Sequence, residues 1–144
     1  MKMKIALACD HGGFNLKEEI KKYLLDNKYE VEDFGTYSLE SCDYPVFAKK
    51  AAQAVSNNEC EKGIVICTTG EGVCMTCNKV KGIRCGLVYN EDVAKLIRQH
   101  NNANMMSIGA KFTSLEEAKK YVNLFLTTDF EGGRHIRRVN LIEE

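Results

Sequence analysis

Residues 63–79, GIVICTTGEGVCMTCNK, bring three of the chain's seven cysteines to a stretch interrupted by Gly70 and Gly72. Three chemistries suit such a stretch: thiolate ligation of a metal, a redox pair at Cys74-Met75-Thr76-Cys77, or one thiol acting beside an anion. A structural zinc needs four ligands in compact pairs, and neither a second CxxC nor paired histidines accompany this one. A redox pair gains most when its thiolate caps a helix, whereas this CxxC is expected after the loop, inside a helix from about Cys74 to Val80. Cys74 and Cys77 are therefore expected to be small helix residues facing the core. Cys67 differs, because it ends an apolar run just ahead of glycines that leave backbone N–H groups free to converge on an anion. A buried strand-end cysteine is the ordinary alternative, and TTGEG by itself matches neither GxGxxG nor the phosphate-loop spacing.

The elements that must position these residues follow from periodicity. KIALAC (4–9) and KGIVIC (62–67) are short apolar runs of the kind found in strands buried on both faces. After the turn at Asp10-His11-Gly12-Gly13, Asn15 is expected to cap a helix carrying Leu16, Ile20, Tyr23 and Leu24 and ending near Asp26-Asn27. YEVEDFG (29–35) alternates like a short or edge strand, and Val46–Val55 has helical spacing beyond the only proline, Pro45. RCGLVY (84–89) and MMSIGA (105–110) complete a set of five strands. Helices are expected from about Asn90 to His100 and from Ser114, which precedes Glu116 and Glu117, through Phe125. Strands alternating with helices predict a three-layer Rossmann-like α/β fold, a five-stranded parallel sheet with helices on both faces. Ligands of such sheets bind beyond the C-terminal strand ends. Asp10-His11, the 67–72 loop and His100-Asn101-Asn102 are expected to face one rim.

The 144 residues suit one domain, and 20 basic residues balance 20 acidic ones. That balance gives no basic footprint for nucleic acid or an anionic membrane. The N-terminal apolar stretch is too short for a signal peptide and no run of about 18 apolar residues occurs, so a soluble cytoplasmic protein is expected.

Across nearly residues 3–140, the ordered set ACDHGGF, DFGTYS with DYPVFAKKAA, Cys-x-Thr-Gly-x-Gly followed by NKVKGIR, RQHNNAN and EGGRHIRRV resembles the ribose-5-phosphate isomerase B family and its cousins, the galactose-6-phosphate isomerase subunits. The resemblance implies an aldose–ketose isomerase working through an enediolate with no metal or nucleotide cofactor, its base Cys67 moving a proton between C1 and C2. It implies further that backbone N–H groups of Gly70, Glu71, Gly72, Val73 and Cys74 hold the oxyanion, and that Thr69 and His100 assist ring opening. Asp10, His11, Asp43 and Asn101 would position hydroxyls. Arg134 and Arg138, at i,i+4 spacing, would take the phosphate, as would Lys111 where the family often has Arg. Arg137 and His135 are expected on an exposed face. Segment 131–144 is expected to reach a neighbouring subunit's site, in a homodimer or a tetramer. Thr68 stands where the family commonly has Gly, and Glu71 where it has an aliphatic residue. The expected substrate is ribose 5-phosphate; allose 6-phosphate, galactose 6-phosphate, a four-carbon sugar phosphate and a non-catalytic sugar-phosphate binder are the alternatives.

Overall fold

The computed structural model describes residues 3–144. The strands are β1 (Lys4–Cys9), β2 (Glu30–Asp33), β3 (Lys62–Cys67), β4 (Cys85–Leu87) and β5 (Met105–Gly109). They form one parallel sheet in the order β2-β1-β3-β5-β4. Between and after them run α1 (Phe14–Asp26), α2 (Tyr44–Ser56), α3 (Glu71–Asn78), α4 (Glu91–Gln99), α5 (Leu115–Thr127) and α6 (Arg134–Ile142). Side-chain alternation along β1 builds the two faces. Ile5, Leu7 and Cys9 join Ile20 and Leu24 of α1 and Tyr121, Val122 and Phe125 of α5 in one core. Ala6 and Ala8 face Ala48, Ala51, Ala52 and Val55 of α2, with Val73 and Cys77 of α3, in the other. The small residues on that second face let α2 lie close over β1. The expected three-layer α/β fold is thus the observed one.

Local boundaries depart from the sequence pattern in three places. Asn15 does not cap α1; it is the second helical residue, and the cap position belongs to Gly13. The turn Asp10–Gly13 is already a short 3-10 helix, closed by the Asp10 side chain accepting from Gly13 N at 3.0 Å, so helical backbone begins before the apolar periodicity does. The helix expected from Cys74 starts at Glu71, with Gly70 at its cap in the left-handed region (φ +80°). Only glycine enters that conformation without strain. β4 is three residues long, half the predicted run. By contrast Asn90 caps α4 through Val93 N, and Ser114 with Glu117 forms a full capping box on α5.

One buried ion pair ties α1 to the end of β2. Lys17 is fully buried and donates to Asp33 at 2.6 Å, with Glu18 at 2.9 Å and Lys21 also reaching Asp33 at 3.2 Å. Burial opposes the charge on each partner. Burial is the largest single influence, but the hydrogen bonds and opposite charges around each partner together outweigh it, so the Lys17 ammonium is raised and the Asp33 carboxyl lowered from their usual values. Asp33 also accepts from Gly35 N, fixing the chain as it leaves β2. Replacing Asp33 with Asn should destabilise the fold by about 3 kcal/mol, because a buried ammonium loses its best counter-charge. The depressed Asp33 value means that its contribution is complete above about pH 4 and disappears as pH falls through that value. Urea unfolding from pH 3 to 7 should show this acid-side slope in the parent and a smaller one in Asp33→Asn.

Candidate functional site

The sheet order places a crevice between β1 and β3, whose following chains leave toward opposite faces: α1 covers one, α3 the other. Cys67 closes β3 at this edge and is only 5% exposed. Gly70 N donates to Cys67 Sγ at 3.1 Å, and Glu71 N to Thr69 Oγ1 at 3.2 Å. A thiol placed here has a backbone donor aimed at its sulfur and the start of a helix beyond it. First-turn amides of a helix have no preceding helical carbonyl to bond, so Gly72 and Val73 can turn theirs toward a developing negative charge. Cys74 follows one residue later in the same helix. Close approaches hold the loop in place: Thr69 carbonyl lies where a side chain on Gly109 would stand, and Gly70 has the backbone of Ile108 and Gly109 against it.

The other predicted residues of this rim lie at the neighbouring strand ends and loops. Asp10 is buried at the end of β1, and its N–H donates to Ile66 carbonyl. His11 Nδ1 accepts from Cys42 N at 3.2 Å, drawing in the chain that delivers Asp43 to the head of α2. Lys111 N donates to Thr68 carbonyl just beyond β5. Glu71 is exposed in the first turn of α3, where a carboxylate is favourable to the helix dipole. Thr68 fills the space over Gly12, its Oγ1 only 2.2 Å from where a Gly12 Cβ would be. Tyr44 lies over Gly72 and was not singled out from the sequence, although the residues DYP mark its helix start.

His100 and Asn101 do not join them, contrary to the expectation of one shared rim, and neither do Arg134 and Arg138, expected to serve a neighbouring subunit. They line a separate hollow of about 300 Å³ with His135, Val139 and Ile142. The reason is topological. α4 runs back from the C-terminal rim, so His100 at its end lies just before β5, whose first residue Met105 pairs with Gly63 while its last, Gly109, pairs with Cys67. At about 3.3 Å per residue, the two rims are roughly 13 Å apart along β5 alone.

The second cluster is built as firmly as the first. Arg98, 8% exposed, donates to Thr128 carbonyl, Asn102 Oδ1 and Ala103 carbonyl, locking the exit of α4. Arg84 donates to Asn102 carbonyl and pairs with Glu143. Glu131 N donates to Gln99 carbonyl, and two positive-φ glycines, Gly132 and Gly133, turn the chain into α6. His135 therefore faces inward, 8% exposed, with its ring stacked on His100 at 4.4 Å between centroids. The expectation that it is an exposed residue is corrected: the turn at Gly132-Gly133 sets that face of α6 against α4. Burial first, then neighbouring His100 and Arg134, hold its imidazolium below the ordinary histidine range. Cys77 of α3 is buried against α2, donating to Ala48 carbonyl, and half-buried Cys74 donates to Cys85 carbonyl, so the CxxC has the core-facing role expected of it.

This sheet and its helices have known counterparts. The chain belongs to the ribose/galactose isomerase family, whose signature it matches over residues 5–142. It is 45% identical to ribose-5-phosphate isomerase B of Escherichia coli (strain K12), over 96% of this chain and 93% of that one. The fold superposes on the crystal structure of a Thermotoga maritima ribose 5-phosphate isomerase with a TM-score of 0.97, at 47% identity and 99% coverage of both chains. A Mycoplasma genitalium ribose-5-phosphate isomerase B solved with bound ribulose 5-phosphate gives a TM-score of 0.95 at 42% identity, covering 99% of this chain and 95% of that one.

The Gly12–Thr68 contact makes a coupling test of the crevice. Gly12→Ala should cost about 1–3 kcal/mol by overpacking against the Thr68 hydroxyl. Thr68→Ala in the same chain should recover most of it, since the Thr68 Cβ lies at an ordinary 3.4 Å from the added carbon. Denaturant unfolding of the two single variants and the double variant should show this non-additivity.

Proposed function

We propose that this chain is a type B ribose-5-phosphate isomerase that interconverts ribose 5-phosphate and ribulose 5-phosphate. Cys67 carries the reading: its sulfur lies at the end of β3, faces a backbone donor and stands just before the head of α3, next to the neighbouring strand end where Asp10 bonds Ile66 carbonyl. In the proposed reaction Cys67 as thiolate takes the C2 proton of the open-chain aldose and returns it to C1. The electron pair of the broken C–H bond passes through a 1,2-enediolate, whose oxygen charge is met by amides of Gly70 to Cys74, and the O2 hydroxyl proton passes to O1 as C2 becomes the carbonyl. Asp10, His11, Asp43 and Asn101 then bind hydroxyls, Lys111 adds a cation to the rim, and Arg134 and Arg138 grip the phosphate. Thr69 and His100 assist opening of the furanose ring. No step requires a metal or nucleotide. Sugar phosphates are held inside cells by their charge, which agrees with a cytoplasmic enzyme; among the described residues no helix is long and apolar enough to cross a membrane.

The separation of the two rims supports a site completed between subunits. His100, Asn101, Arg134 and Arg138 of one copy would approach Cys67 of another, and a homodimer of this kind contains two such sites. Segment 131–144 contributes its arginines from α6, whose outward Ile136, Leu141 and Ile142 are about half exposed in the single chain. Covering those residues would favour association.

Two experiments test the reading. Cys67→Ala should keep the fold while lowering isomerisation by about 10²–10⁴-fold or more, with loss of solvent deuterium incorporation at C2. Near-normal turnover would remove Cys67 as base, and a panel of ribose, allose, galactose and four-carbon sugar phosphates assayed in chelator would rank the substrates. His100→Asn should slow reaction of the cyclic sugar more than that of an open-chain substrate.

Subunit exchange tests the shared site. Each charge-assisted arginine contact is worth about 1.5–3 kcal/mol, so Arg134→Ala/Arg138→Ala should raise KM steeply. Mixing that variant with Cys67→Ala should restore activity, because a mixed dimer collects both lesions in one site and leaves the other whole. Silence after verified exchange would assign the arginines to their own subunit's chemistry or to none.

A further inference from the structure

We propose that His100, Glu131 and His135 form a divalent cation site, and that zinc bound there inhibits the enzyme by withdrawing the His100 imidazole. The ring-opening half of this inference rests on the role of His100 given above; the cation site rests on geometry alone. The stacked imidazoles are only 17° from parallel, which sets both rings side by side at the mouth of the second hollow. Their Nε2 atoms face the same carboxylate oxygen, Glu131 Oε1, at 3.9 Å from His100 and 3.6 Å from His135. One ligand atom from each residue lies within 4.8 Å of the other two. Zinc bonds of about 2.0–2.2 Å put tetrahedral ligand atoms about 3.4 Å apart. Each Nε2 lone pair lies in its ring plane, so a shared ion needs His100, whose side chain is 41% exposed, to swing out of the stack and the carboxylate to move in. Glu131 is exposed and can supply that movement, whereas His135 is held in place by the turn of Gly132-Gly133 into α6.

Two histidines and a glutamate are a borderline-hard donor set suited to zinc and neighbouring transition metals, with a fourth position open to water or a phosphate oxygen. Sequence spacing concealed the set: Glu131 and His135 are four residues apart, but His100 arrives from the end of a different helix. The Arg134 and Arg138 guanidiniums line the same hollow and oppose a dication, so affinity should be micromolar rather than that of a structural zinc site. Reversibility follows from that weakness. An ion on both Nε2 atoms would occupy the nitrogen lone pair that His100 needs for proton transfer, and would stand beside the arginines that take the phosphate.

The test uses the metal-free full-length protein. Zinc affinity is measured by competition with a chromophoric chelator, and cobalt(II) serves as a spectroscopic substitute that reports ligand type. Glu131→Gln and His135→Ala should each weaken zinc binding by at least about tenfold, since loss of a direct ligand costs no less than loss of an outer-sphere partner. Glu131 is exposed, so its variant should fold even if His135→Ala does not. Cobalt should show a visible ligand-field spectrum without a near-ultraviolet thiolate charge-transfer band, which separates this site from the cysteines. Absence of zinc binding at millimolar metal, affinity unchanged in Glu131→Gln, or a thiolate band would each overturn the site. Zinc should also slow turnover of the cyclic sugar reversibly, with recovery in chelator. Binding without inhibition would overturn the inhibitory half. Failure of the His100 assignment would show itself separately, as equal losses on cyclic and open-chain substrates in metal-free His100→Asn.

Discussion

All strands of this sheet point the same way, so chain that follows a strand and chain that precedes one emerge at opposite rims. Cys67, Thr69, Asp10 and Lys111 follow strands, while His100 and Asn101 precede one. No side-chain rotation bridges the difference, because the sheet between the rims is hydrogen-bonded and buried on both faces. The fold thereby yields two separate clusters, each held by its own bonds: the Gly70–Cys67 contact on one side, Arg98 and the histidine stack on the other.

Most of the architecture was legible because the strands declare themselves. IALAC and GIVIC can satisfy burial on both faces only as interior strands, and they occupy β1 and β3 in the middle of the sheet. YEVEDFG carries alternate polar residues, and β2 lies at an edge. The early starts of α1 and α3 were hidden by glycines, which weaken the helical pattern where they serve geometry: Gly13 lies tight against Ile66 carbonyl, and Gly70 adopts a left-handed backbone. The thiol loop could be found from Cys67 and its glycines alone. Its partners needed the ordered motifs, since Asp10 or Asp43 in isolation is an ordinary turn residue.

What one-dimensional inspection lost was direction. RQHNNAN reads in sequence as a neighbour of the thiol loop because both are polar loops flanking strands, yet only the rim of departure decides which loops meet. His135 was misplaced for a related reason. A basic run near a chain end has the look of solvated surface, and nothing in EGGRH reveals that its glycines turn the helix inward against His100. Arg98 and Arg84 have no spacing signature, because most of their bonds go to backbone carbonyls, those of Asn102, Ala103 and Thr128.

The independence of the two rims has an evolutionary consequence if sites form between copies. A duplicated gene could lose the thiol loop in one paralogue and the arginine helix in the other, and a mixed pair would still retain one intact reaction centre. Each paralogue would then be free to drift at its abandoned rim, constrained only by folding. Obligate pairing would arise by such complementary decay, without any gain of new contacts, and the surviving centre could be tuned toward a different sugar by substitutions in two separate genes.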